Sequence, residues 1–470
     1  MGASKDKSWQ ARLSEPAHAL TESFVESISF DRRLWRHDMA GSLAHAEMLA
    51  EVGLITKADL RAIRRGFKLI ADDIEKGAFE WDPACEDVHM ALEAALVARA
   101  GEPGKRLHTA RSRNDQIALD LRLYVRDAID ARIVPALRAV QAALVEQADR
   151  HRATVMPSYT HLQRAQPICL AAYLLAYVEQ FERDVDRFAD ARRRADVCPL
   201  GSGAVAGSTL PIDRAAVAQN LGFAAVSRNS IDATSDRDFV LDFLAAAAVC
   251  GMHLSRLAED WILYASQEFG FLRVADAFCT GSSMMPQKRN LDVMELVRGK
   301  VGRLHAALVG LLTLGKGLPQ AYNRDLQEDK VHLFAADDTL SASLRIVAEV
   351  VAHTTFDADR LEEATRRGFL DATVLAEYLV GKKVPFREAH QCVGRLVARA
   401  ERQGCELVDL PLEVFQEASS RIGPDVYDYL GAGNVVRRYC SAGNAGPESA
   451  ADQIRHWRRK LGPRPPRGGR

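Results

Sequence analysis

The chain has 470 residues, carries 62 lysines and arginines against 63 aspartates and glutamates, and is 47% hydrophobic. That length can bury a large core across two or three domains, and the near-neutral balance removes any electrostatic case for a nucleic-acid or membrane-surface partner. No charge-free run reaches the ~18 residues a spanning helix needs, and the opening MGASKDKSWQAR has no apolar stretch like that of a secretion signal, so a cytoplasmic location is expected. The 8 cysteines, Cys85, Cys198 and Cys405 among them, make no C-x-x-C pair and no histidine spacing suited to zinc. They read as buried free thiols, and no metal is expected.

Ala/Leu-rich segments with helical spacing dominate and alternating patterns are scarce, which predicts an all-α fold. Residues 1–111 read as an N-terminal helical domain, its shorter helices broken at Trp81-Asp82-Pro83 and Gly101-Glu102-Pro103-Gly104. Residues 112–355 read as a central long-helix bundle. After Pro167, Leu170, Leu174, Tyr177, Phe181, Val185 and Phe188 share one stripe. A second long segment runs from Phe239 to Ser266, and a third from Leu291 to about Leu314 carries Met294, Val297, Val301, Leu304, Leu308 and Leu311. Each predicts a helix of roughly 35 to 45 Å, and helices that long point to antiparallel bundling and self-association. Residues 356–470 read as a small C-terminal helical domain punctuated by Gly381, Pro385, Pro411 and Gly431, and the tail GPRPPRGGR has the composition of a disordered end.

The densest chemistry lies in Gly281–Asn290, GSSMMPQKRN. Gly281 frees the backbone, Ser282 and Ser283 give or accept protons, and Lys288 and Asn290 can hold negative charge. These residues equally suit a polar loop ahead of a helix, with Pro286 and Asn290 as turn or cap residues. The loop resembles the GSSxMPxKxN segment of the fumarase/aspartase superfamily of lyases. Gln287 before Lys288 is similar to argininosuccinate lyase and its δ-crystallin relatives. The segments HTARSRNDQ (108–116), SYTHLQRAQP (158–167) and NSIDATSDRDF (229–239) resemble the same family in the same order, and the likeness runs from SEP at Ser14 to GFLDATVLAEYLV at 368–380.

That resemblance implies reversible anti elimination of argininosuccinate to arginine and fumarate through a carbanion, in arginine biosynthesis, without metal or organic cofactor. It also implies three helical domains and a homotetramer whose active sites are shared between subunits. An elimination needs a base for a weakly acidic C–H, a sink for the carbanion and an acid for the leaving nitrogen. By resemblance Ser282 and His161 are the two proton carriers, Ser282 being the favoured base although the sequence does not settle which of them takes the carbon proton; Lys288 and Asn290 stabilise the carbanion, and Glu295 orients His161. Ser112, Arg113 and Asn114 match carboxylate-binding positions, Ser27 and Asp87 meet or support the arginine part, and Thr160, Tyr322, Gln327 and Lys330 match further binding positions. Another succinyl-nitrogen substrate, or a structural role like that of the crystallins, is the rival reading, and retention of Ser282, His161, Lys288, Asn290 and Glu295 argues against the second. The chain departs from the family at WQARL (9–13), where WGGRF is usual, at Ala110 and Ser158, where glycine is usual, and at Leu291, where proline is usual.

Overall fold

The computed structural model describes residues 18–82 and 84–462. The resemblances at Ser14 and at residues 9–13, and the tail after Gly462, lie outside them. The chain forms two compact units. The first takes the residues up to Ala131, Phe188–Ala246 and Leu304–Asp337; the second takes Arg132–Arg187, Ala247–Arg303 and the chain from Asp338 onward.

In the first unit α1 (Trp35–Glu51), α2 (Lys57–Glu75), α3 (Val88–Ala100) and α4 (Arg113–Asp127) pack together. Helix α2 begins at Thr56 in a capping box with Asp59, which satisfies amide groups the first turn leaves unpaired. It buries Ile63, Phe67 and Ile70, spaced to share one face, and each fully buried aliphatic side chain there contributes roughly 1.5–3 kcal/mol. Glycine sets how closely the helices approach: a Cβ at Gly66 would stand 2.6 Å from Leu96 of α3, and one at Gly41 2.7 Å from Leu119 of α4.

In the second unit α5 (Val134–Arg150) is followed by the antiparallel hairpin β1 (Val155–Thr160) and β2 (Gln163–Cys169), paired from Val155↔Cys169 to Thr160↔Gln163 with a register shift between Pro157 and Tyr159. The sequence shows little of this hairpin, because neither strand alternates cleanly between apolar and polar residues. Onward in the chain come α6 (Leu170–Ala195), α7 (Asp238–Tyr264), β3 (Leu272–Val274), β4 (Thr280–Gly281), β5 (Arg289–Asn290), α8 (Asp292–Gly315), α9 (Asp329–Ala352) and β6 (Thr354–Phe356), the residues of α6, α7, α8 and α9 each being divided between the two units. Helices α6, α7 and α8 are the three predicted long segments. Helix α9 was not anticipated, since its start reads as a charge run, although Leu333, Leu340, Leu344, Val347 and Val351 are all buried. Strands β4 and β5 pair as the foot of the Gly281–Asn290 loop, and β3 pairs with β6. In the second unit, α10 (Ala372–Gly381) and α11 (Phe386–Gln403) close over Leu375, Leu379, Val393, Leu396 and Phe415.

Among the described residues α7 is the one helix long and apolar enough to cross a membrane, and 61% of that stretch is buried inside the protein. The cysteines are all free thiols, but only Cys169, Cys198, Cys250 and Cys392 are buried. Cys85, Cys279 and Cys405 are half-buried and Cys440 is exposed, a correction to the expectation that all eight are interior.

Candidate active site

The sequence-selected residues fall into two groups, one in each unit. In the first unit Ser27 is buried; its hydroxyl donates to Asp31 Oδ2 at 2.6 Å, and its N–H donates to the Glu86 carbonyl at 2.8 Å. Asp31 Oδ1 accepts the Val88 N–H at 3.0 Å, so one carboxylate ties Ser27 to the start of α3. Burial raises the Asp31 carboxyl to about 6, with His89 and the Ser27 hydroxyl pulling it back. Asp87 caps α3, accepting from the Met90 N–H at 2.7 Å, and its other oxygen accepts from Arg113 Nη1 at 3.1 Å.

Ser112 caps α4 in a capping box with Asp115. Asp115 accepts three backbone N–H groups, from Ser112 at 3.0 Å, Gly201 at 2.9 Å and Gly203 at 2.8 Å. The loop thus held passes Asn114, whose Nδ2 donates to the Ala204 carbonyl at 3.1 Å. Ala110, where glycine is usual, has φ +58°. The left-handed conformation explains the family's preference for glycine and costs an alanine about 1 kcal/mol or more. Gln327 Nε2 donates to the Val25 carbonyl at 3.2 Å and Arg324 pairs with Glu86 at 2.6 Å. Lys330 is almost wholly buried against Asp329 at 3.0 Å, which also pairs with Arg237. Burial raises the Tyr322 phenol above its ordinary pKa, against the pull of Arg324 and Arg237.

In the second unit Thr160 and His161 lie at the hairpin tip. His161 and Leu162 have φ +57° and +59°, the two positive angles of a tight turn that usually takes Asn-Gly. Two non-glycine residues held left-handed store roughly 1–3 kcal/mol each, a cost associated with functional sites. Ser158 fills the register shift and donates to the Gln166 carbonyl at 2.6 Å. On the Gly281–Asn290 loop, Ser282 Oγ accepts the N–H groups of Met284 at 3.2 Å and Met285 at 3.0 Å. Lys288 is exposed, Asn290 half-buried on β5, and Arg289 staples the loop's foot to Asp276 at 2.8 Å. Leu291 is buried ahead of α8, and Glu295 lies exposed in the first turn of that helix.

A family model described as "Lyase" matches residues 11–305 and another, "Argininosuccinate lyase C-terminal", matches 369–437. The chain is 51% identical over 460 residues to the chloroplastic argininosuccinate lyase of Arabidopsis thaliana, covering 98% of this chain and 89% of that one. It is 51% identical over 455 residues to the argininosuccinate lyase of Moorella thermoacetica, covering 97% and 98%. The chain belongs to the argininosuccinate lyase family.

Solved structures place that family in its fold. An EDDS lyase in complex with formate matches with a TM-score of 0.82 at 28% identity over 92% of this chain and 87% of its own. A class II fumarase from Schistosoma mansoni matches with 0.73 at 16% over 88% and 91%, which speaks for the fold alone. Within the first unit Ser27 is tied through the Glu86 carbonyl and Asp31 to the residues on either side of Asp87, Asp87 pairs with Arg113, and Ser112 and Asn114 lie on the adjoining turn. Among the described residues no hydrogen bond or ion pair joins His161 to Glu295 within the chain. Asp31, Asp115 and Arg324 join these groups only in the structure. Asp115 was legible as the fourth residue of Ser112-Arg-Asn-Asp, a capping box, and Asp31 as the residue one turn after Ser27; Arg324 carries no local signal.

Proposed function

We propose that the chain eliminates argininosuccinate to arginine and fumarate, and that the cradle of Ser282 carries the chemistry. Two N–H groups aimed at Ser282 Oγ favour negative charge on that oxygen, which an otherwise weak hydroxyl needs to act as a base. Ser282 takes the proton next to the succinyl carboxylate; Lys288 and Asn290 hold the charge that spreads onto that carboxylate. The electron pair then forms the fumarate double bond as the C–N bond breaks, and His161, oriented by Glu295, hands a proton to the leaving guanidino nitrogen. Ser112, Arg113 and Asn114 bind carboxylate, Arg113 with paired hydrogen bonds. Ser27 and Asp87 receive the arginine end, and Thr160, Tyr322, Gln327 and Lys330 complete the site.

The active assembly is a homotetramer in the cytoplasm whose sites draw on more than one copy of the chain. Two observations support self-association with shared sites: among the described residues no hydrogen bond or ion pair joins His161 to Glu295 within one chain, and α8 leaves Leu296, Val309 and Leu312 more than half exposed beside Gly299 and Gly302, which have open space around them. Equal yields of arginine and fumarate from argininosuccinate, with no product from other N-succinyl compounds, are the expected result; turnover of one of those instead overturns the substrate assignment.

A further inference from the structure

Behind Ser27 and Asp87 lies a buried polar network that the elimination does not use. His89, two residues beyond Asp87 on α3, is 3% exposed. Its Nδ1 is 2.5 Å from Asp38 Oδ2 and 3.6 Å from Asp120 Oδ2. Asp38, on α1, also accepts from Gln116 Nε2 at 2.5 Å. Neither oxygen of Asp120 on α4, nor Nε2 of His89, has a hydrogen-bond partner. The three groups are close enough to suggest a cation site, but 2.5 Å between Nδ1 and Oδ2 is a hydrogen-bond length. Two ligands of one ion at about 2 Å each stand farther apart, so this is a charge pair.

The groups facing the ring come from every neighbouring element: Asp31 from the turn Ile28–Asp31, Asp38 from α1, Asp87 from the cap of its own helix, and Asp120 from α4. His108 and Arg111 lie in the segment before α4, and Lys330 of α9 acts on Asp31. Burial works against a charged imidazole here, yet Asp38, Asp87 and Asp31 together raise it above the ordinary histidine value. Burial and the neighbouring Asp38 charge push Asp120 far up, so that it keeps its own proton.

We infer that His89 is a positioning residue: an imidazolium, clasped by Asp38, that keeps Asp31 ionised and thereby fixes Ser27 and the Asp87 turn for the substrate's cationic end. Ionised Asp31 accepts from both the Ser27 hydroxyl and the Val88 N–H. With its proton committed to Asp31, the Ser27 hydroxyl offers only lone pairs to a ligand, the right polarity for a guanidinium or ammonium donor. A neutral residue at 89 leaves Asp31 to take up a proton at a higher pH, and the tie to Ser27 and α3 then loosens.

The inference rests on the lyase reading only for the identity of the ligand. In wild-type protein the acidic limb of kcat/KM follows Asp31. His89→Gln moves that limb up by roughly one pH unit and raises KM more than kcat; Asp38→Asn, which removes the counter-ion and leaves the ring, gives the same shift. A limb that stays put in either folded variant overturns the inference, since a merely structural role does not move it. Histidine-labelled wild-type protein, followed by NMR, decides independently of turnover: the His89 ring titrates above the ordinary histidine value, and a ring that titrates at or below that value refutes the assignment. Absence of turnover in the wild type counts against the lyase reading and leaves the NMR result standing.

Discussion

The sharpest quantitative prediction concerns Gly203, in the loop that Asp115 anchors. Its φ is +64°, and a Cβ placed there would stand 2.7 Å from the Gly207 carbonyl oxygen, which is backbone and cannot step aside. An alanine pays about 1–2 kcal/mol for the left-handed conformation, offset by roughly 0.5–1 kcal/mol because glycine loses more freedom on folding. Relieving the clash moves the backbone and weakens the Gly203 N–H bond to the Asp115 carboxylate, worth about 1.5–3 kcal/mol as a bond to a charged group. Gly203→Ala is therefore expected to lose about 3 kcal/mol. Because the same loop carries the Ala204 carbonyl that holds Asn114, KM should rise roughly tenfold, the equivalent of about 1.4 kcal/mol. Gly207→Ala is the internal control: φ is +79° but nothing approaches closer than 4.0 Å, so only the conformational cost of about 1 kcal/mol applies. Denaturant titration and steady-state kinetics on both variants read these effects. Equal losses in the two, or an unchanged KM in Gly203→Ala, refute the clash and the link to Asn114.

Ala110→Gly relieves a left-handed alanine at φ +58° and should stabilise the protein by about 0.5 kcal/mol or more, read as a rise in thermal midpoint with activity retained. Asp31 has its folded pKa raised from 3.8 to about 6, so its contribution to stability is full below pH 4 and is lost as pH rises through 6. Asp31→Asn should therefore gain on the wild type in unfolding free energy between pH 4 and pH 8, while KM worsens; a difference that does not vary with pH contradicts the assignment. Leu162→Gly relaxes one left-handed residue of the hairpin tip and should stabilise the fold while lowering kcat, because the turn then holds His161 less firmly.

How much the sequence disclosed depended on whether the physics was local. The stripes after Pro167 and in Phe239–Ser266 and Leu291–Leu314 specify helices through side chains three and four residues apart, and those helices formed within a few residues of the expected ends. The Ser112 turn was legible for the same reason: a capping box needs only four residues. The His161 hairpin was not, because its two-residue turn is made by His161 and Leu162 where Asn-Gly would have advertised it. The network of Asp31, Asp38, His89 and Asp120 joins residues up to 89 positions apart, and apart from Asp31, one turn after Ser27, nothing around any of them marks it as buried and paired. Ala110 and Ser158 stand out in the sequence only as departures from the family's glycines; the backbone shows that one sits left-handed and the other at a register shift.

In the proposed reaction Ser282 and His161 move the protons of an argininosuccinate elimination. Purified protein is mixed with argininosuccinate and fumarate is followed by its ultraviolet absorbance, beside Ser282→Ala and His161→Asn proteins of matched fold. Rapid fumarate release by the wild type and a loss of roughly 10³-fold or more in each variant are expected of that reaction. Wild-type rates from folded Ser282→Ala protein, or no fumarate from the folded wild type, would contradict it.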